Sequence, residues 1–168
     1  MAQVFMLSII SEIIHYIINS LKKTGWNSQS LFYVGKAVPR RWRQARIEDN
    51  IDKKSYELIG RLKEHSRSLG QSNNLEISDF HCRFMILEGP ASSLIGTVEA
   101  SLIRHYKPVW NTKIDGFGNH DPGSGRYNQA KSEWDIIHPG RAWADRLKGD
   151  SPDQSKVEER IAEYFKKK

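Results

Sequence analysis

Tyr33, Lys36, Arg61, His65 and Glu99 are residues of this sequence whose types and settings could do chemistry. Arg61 and His65 stand four positions apart, so a helix would project them from one face. A guanidinium fork clamps phosphate oxygens, and a neighbouring imidazole exchanges a proton or orients a hydroxyl; the plain alternative is a histidine on an apolar stripe of the core. Glu99 interrupts a stripe formed by Ile95, Leu102, Ile103 and Tyr106. A carboxylate there costs several kcal/mol unless a cation or hydrogen bonds compensate. A divalent ion would do so, and a lone carboxylate completed by water and substrate phosphate suits magnesium; otherwise Glu99 lies at the stripe's edge, reaching solvent or pairing with an arginine. Tyr33 is a phenol with an ordinary pKa of about 10, so accepting a proton at neutral pH requires cationic neighbours, for which Lys36 and His65 are candidates.

A second constellation is basic. Arg40, Arg41, Arg43 and Arg46 crowd around Trp42, a pattern that tracks a DNA backbone or forms a solvated loop. The 168 residues carry 26 Lys and Arg against 20 Asp and Glu, and a pI near 9.4 makes a polyanionic partner plausible. The length fits one domain with a real core. Cys82 is the single cysteine, which excludes an internal disulfide and a multi-cysteine zinc site and points to a reducing, cytoplasmic setting. The apolar residues 5–18 are broken by Glu12 and His15 and are shorter than the roughly 20 residues a bilayer needs. Neither a basic leader nor a small-residue cleavage site flanks them, so no membrane span or secretory signal is expected.

The elements that must position these residues are legible in outline. Residues 3–7 (QVFML) suit a short strand, and Ile10, Ile13, Ile14, Ile17 and Leu21 recur at helical spacing over 9–23. The aromatic and β-branched run at 30–34 is expected to be a strand closed by Gly35. Leu58, Leu62, His65 and Leu69 predict an amphipathic helix from Lys53 to about Leu69, stopped by Gly70 together with Asn73 and Asn74. FHCRFMIL, 80–87, suits a buried strand, and 92–106 a second helix ending before Pro108. From 112 the chain turns rich in Gly, Pro, His and Arg, as loops that offer their amides to partners are, before a last helix over 153–166.

FYVGK, then Arg61 and His65, then Glu99 in a helix, then Asn111 after KPVW, resembles the catalytic layout of the GIY-YIG nuclease superfamily. VGKAVP, NHDPGSGR and HPGR resemble its type II restriction endonuclease branch. The resemblance implies an α/β (α+β) fold with a small, mainly antiparallel sheet of about three strands flanked by helices. It implies a catalytic core at 30–111, preceded by a divergent or truncated strand and helix at 1–29 and followed by a loop-rich DNA-recognition region with a C-terminal helix at 112–168. It also implies metal-dependent hydrolysis of double-stranded DNA at a specific sequence, by a homodimer on a palindromic site.

By the same resemblance Tyr33 takes the place of the superfamily's second tyrosine, with Lys36 following the glycine of that motif. Arg61 binds the scissile phosphate, His65 supports the catalytic tyrosine, Glu99 holds Mg2+, and Asn111 positions groups around metal and phosphate. Arg40, Arg41, Arg43 and His120 are expected to contact DNA, and Arg126 and Arg141, in the Gly- and Pro-rich loops, to contact guanines. No Gly-Ile-Tyr triplet precedes Tyr33. In this branch the first tyrosine is held to deprotonate the attacking water, and Phe5 or Met6 stands nearest its place. Three alternatives follow: a catalytically inactive, DNA-binding descendant, a structure-selective repair or mobile-element nuclease, and an unrelated metal nuclease using Asn119, His120 and His138.

Overall fold

The computed structural model describes residues 2–9, 30–38 and 56–167, with residues 2–9 and Ser30 described by backbone alone. The arginine cluster at 40–46 and the helix expected over 9–23 lie outside the described residues.

Three strands form one antiparallel sheet: β1 (Ala2–Ile9), β2 (Ser30–Ala37) and β3 (Phe80–Leu87), in the order β2-β1-β3. β1 is longer than the 3–7 expected, and β2 runs through Gly35, which pairs with Phe5, to Ala37. Glycine weakens a strand without ending it when both neighbours can pair. Met6 pairs with Val34 on one side and Arg83 on the other, and Leu7 pairs with Tyr33 just before an irregularity at Leu7/Ser8. β3 was expected to be buried, yet Phe84, Met85 and Ile86 are exposed. It pairs only with β1 in this sheet and so forms an edge.

Helix α1 (Glu57–Gln71) buries Leu58, His65 and Leu69, three members of its predicted stripe. It runs one residue past Gly70 and ends at Gln71, before Asn73 and Asn74. A Cβ at Gly70 would lie 2.9 Å from Ile77 Cδ1, so the glycine serves close packing and Ser72 forms the C-cap. A 3-10 turn at Gly89–Leu94 leads into α2 (Ile95–Tyr106), a later start than residue 92. Its C-cap Lys107 takes a left-handed φ of 46°, and Pro108 then prevents continuation. A short α3 (Val109–Thr112) carries Asn111 to the sheet. The following region contains α4 (Glu133–Ile137) and α5 (Gln154–Lys166).

One aromatic-rich core joins the early and late parts of the chain. Phe32 and Leu58 share it with Trp110, Phe117, Trp134, Ile161 and Phe165. Residues of the 112–168 region therefore help build the core. Trp110 is the hinge of this packing, with ring centroids 5.3 Å from Phe32, 4.5 Å from Phe117 and 5.9 Å from Trp134. A second, smaller cluster of Val34 and Ile95 fastens α2 to β2, with Val98 and Leu102 packed against it.

Candidate functional site

β2 presents its residues to two helices. Lys36 reaches α2, where Nζ donates to Glu99 Oε2 at 2.6 Å. This pair explains how a carboxylate is tolerated on the stripe: the cation is a lysine rather than the arginine considered from sequence, and both side chains keep partial solvent access. A Cβ on Gly96 would lie 3.9 Å from Lys36 Nζ, so the glycine leaves the ammonium open space on α2.

Tyr33 packs in the other direction. Its ring lies 5.1 Å from His65 and 5.0 Å from Phe117, centroid to centroid. Burial pushes the phenol above its ordinary pKa, opposed by the Arg61 guanidinium and reinforced by the Glu99 carboxylate. Tyr33 thus senses groups on α1 and on α2 together. Its neighbours do not turn it into a base, since the expected cations fail it: Lys36 is paired with Glu99, and His65 is neutral. His65 is buried at 2 % exposure and pushed down to about 4, by burial first and then by Arg61. It stacks on Phe117 at 4.6 Å with an interplanar angle of 12°, which fixes it as an aromatic support beneath Tyr33.

Asn111 holds β2 by its backbone. Its Oδ1 accepts from Val34 N–H at 2.8 Å and its Nδ2 donates to Val34 C=O at 2.9 Å, so the side chain continues the sheet along the outer edge of β2. Its amide is thereby engaged with the strand that carries Tyr33 and Lys36.

Arg61 lies half-exposed on α1, where Nη1 donates to Glu64 Oε2 at 3.0 Å. The loop from NHDPGSGR arrives beside it: His120 Nε2 stands 3.5 Å from Arg61 Nη1 and 3.7 Å from Glu64 Oε2. Gly118 of the same loop approaches the Tyr33 hydroxyl, which a Cβ there would meet at 3.7 Å. Sequence reasoning placed His120 on DNA or in a separate metal site and missed that it joins Arg61. Nothing in local spacing links residues so far apart in the chain.

Arg141 was expected to contact a guanine. It is 1 % exposed and its donors face inward, so it cannot reach a groove. Nε donates to Asp135 Oδ1 at 2.7 Å, Nη2 to Gly116 C=O at 3.0 Å and Nη1 to Asn119 C=O at 3.0 Å, while the guanidinium stacks over Trp134 at 4.2 Å. HPGR is thus the bracket that holds the loop carrying His120. Arg126 remains exposed on that loop, whose turn is tied by Asp121. The Gly123 amide and then the Tyr127 hydroxyl hold the Asp121 carboxyl below its ordinary range.

His138 does not form a metal centre with Asn119 and His120. It is buried at 1 % exposure and pushed down to about 3, chiefly by burial. Its Nδ1 donates to Asn74 Oδ1 at 3.0 Å. Among the described residues no group of three or more His, Cys, Asp or Glu is placed to hold a metal. What remains is Tyr33 on β2, influenced by Arg61 of α1 and by the lysine-paired Glu99 of α2, with His120 of one loop beside Arg61.

The family model described as the Eco29kI GIY-YIG domain matches residues 1–165 of this chain, nearly its whole length. The chain belongs to the Eco29kI GIY-YIG domain family. It is thereby a restriction-type nuclease domain, as the order of FYVGK, Arg61, His65, Glu99 and Asn111 implied. No curated protein matched the sequence. Among the described residues no helix is long and apolar enough to cross a membrane.

Proposed function

We propose that this Eco29kI-type domain is a sequence-specific endonuclease of double-stranded DNA that hydrolyses phosphodiesters with Mg2+, acting as a two-fold dimer on a palindromic site. The observation that carries the reading is that one strand, β2, sets Tyr33 against His65 on the helix of Arg61 and reaches Glu99 through Lys36. A single carboxylate with water and phosphate oxygens fits magnesium better than a soft metal, whose sites need several nitrogen or sulfur ligands. Glu99 would hold the ion, with Lys36 Nζ moving off its oxygen. When bound, the ion would supply charge stabilisation at the phosphate and leaving oxygen.

The chain's own residues do the rest. Arg61, released from Glu64, holds the scissile phosphate and adds positive charge where the transition state gains negative charge. Tyr33, kept protonated by burial, donates a hydrogen bond into the same space, and His65 fixes its ring. Lys36 supplies a second mobile cation. Arg126 reads a base edge, while Arg40, Arg41 and Arg43 carry phosphate contacts. A plasmid-nicking assay with Mg2+, repeated with Glu99→Gln, tests the reading: the substitution should abolish nicking, and undiminished nicking would remove Glu99 from the site.

One observation favours a second reading, an inactive DNA-binding descendant. Residues 5 and 6 pair with Gly35 and Val34 beside the Leu7–Tyr33 pair, nearest the place of a first tyrosine, and they are a phenylalanine and a methionine, neither of which can exchange a proton. Under that reading duplex binding persists and nicking is absent in every metal.

A further inference from the structure

Resting on the nuclease reading, we infer that His120 is a further catalytic residue, whose Nε2 accepts the proton of the attacking water in place of the missing first tyrosine. Its position makes the argument. Nε2 lies 3.5 Å from Arg61 Nη1, so a phosphate gripped by Arg61 comes within reach of the imidazole. Arginine has only donors. The neutral tautomer with its hydrogen on Nδ1 therefore turns the Nε2 lone pair toward that phosphate-binding space, as a base must. Glu64 Oε2, 3.7 Å from the same nitrogen, is placed to stabilise the imidazolium once the proton arrives.

The other protic groups of the site are less suited to this step. His65 is buried between Tyr33 and Phe117, and Tyr33 is itself largely covered, whereas the His120 side chain is 56 % exposed and open to a ligand. Nor is its placement that of a free loop. Arg141 binds the carbonyls of Gly116 and Asn119, immediately before His120, and Phe117 is stacked on His65, so both the buried bracket and the catalytic helix fix the loop. General bases act when held at such defined positions by packed second neighbours.

The step balances without a further reagent. The water oxygen bonds to phosphorus as its O–H bond breaks and the proton passes to Nε2. The bond from phosphorus to the 3′ oxygen breaks, and that oxygen takes a proton from solvent.

The test compares the full chain with His120→Ala and Glu99→Gln on supercoiled plasmid in Mg2+, with duplex binding and thermal melting measured alongside. His120→Ala should slow nicking by about a hundred- to ten-thousand-fold, leave duplex binding and melting unchanged, and regain rate when imidazole is added. Nicking by His120→Ala at the unmodified rate overturns the inference, as does a rate loss that imidazole does not restore, or an unmodified chain that does not nick. If Glu99→Gln abolishes nicking while His120→Ala does not alter it, the inference alone fails. If Glu99→Gln nicks normally, the nuclease site assignment fails with it.

Discussion

Glu99 and Arg141 show how the same kind of ion pair can mark a working site or a structural bracket. The Lys36–Glu99 pair is partly open to solvent on both sides, so either partner can exchange its contact for a ligand. Nuclease activity is expected to require Mg2+ or Mn2+ and to fall by orders of magnitude in Glu99→Gln, while duplex binding in Ca2+ is retained; gel-shift and nicking assays on one preparation separate the two. Arg141 and Asp135 are both buried, at 1 % and 4 % exposure. Arg141→Met strands Asp135 without its cation and should cost about 3–5 kcal/mol in urea unfolding. Replacing both, as Arg141→Met/Asp135→Leu, should recover part of that loss. A variant of Arg141 that instead kept full stability and lost only site preference would restore its reading as a base contact.

At the scale of elements, β2 is the organiser: its face toward α2 offers Lys36 to Glu99, and Tyr33 meets α1 and the His120 loop. Asn111 pins its outer edge by two hydrogen bonds to Val34. Asn111→Ala removes both bonds, leaves backbone groups of β2 without them, and should cost roughly 1–3 kcal/mol for each group left buried and unsatisfied. Because that loosens the strand rather than removing a ligand, Mg2+ affinity measured by calorimetry should change less than in Glu99→Gln. β1 carries the sharpest element-scale prediction. Its register pairs Phe5 with Gly35 and Leu7 with Tyr33 on one face of the sheet, and Met6 with Val34 on the other. Phe5→Tyr should restore Mg2+-dependent cleavage to His120→Ala without changing duplex affinity. Cleavage that stays absent in that double variant would show that position 5 does not serve the attacking water.

For the whole molecule, two buried histidines set an acid limit. His65 and His138 titrate at about 4 and about 3 in the folded chain, below the ordinary value of about 6.5 expected when unfolded. From about pH 6.5 down to those values the unfolded chain binds protons that the folded chain refuses, so stability is full at higher pH and falls on acidification. Urea midpoints should drop between pH 7 and pH 4, and His138→Gln should flatten the slope; an unchanged slope would show that its burial does not govern the acid limit. The arginines assigned to DNA divide by role at the same scale. Arg126→Ala should reduce preference for the recognised sequence, whereas Arg40→Ala or Arg43→Ala should weaken all duplexes alike and reduce the salt dependence of binding. Equal weakening of every duplex by Arg126→Ala would remove it from base recognition.

The chain's sequence determined the parts that depend on local order. The stripes of α1 and α2 follow from helical periodicity, and the strands from aromatic and β-branched runs, because both reflect which residues are neighbours along the backbone. Ordered motifs around Tyr33, Arg61, His65, Glu99 and Asn111 pointed to the family for the same reason: each occupies a defined place in its own element. Tertiary structure alone decided what those residues touch. Gly35 fails to end β2 because β1 pairs through it, and β3 is exposed because it lies at the sheet edge. Arg141, an arginine in a Gly- and Pro-rich stretch, has the sequence appearance of a surface reader, and only the carbonyls of a distant turn make it an internal strut. His120 gains its meaning in the same way, from a contact with Arg61 made across 59 positions of chain, a distance over which no periodicity carries information.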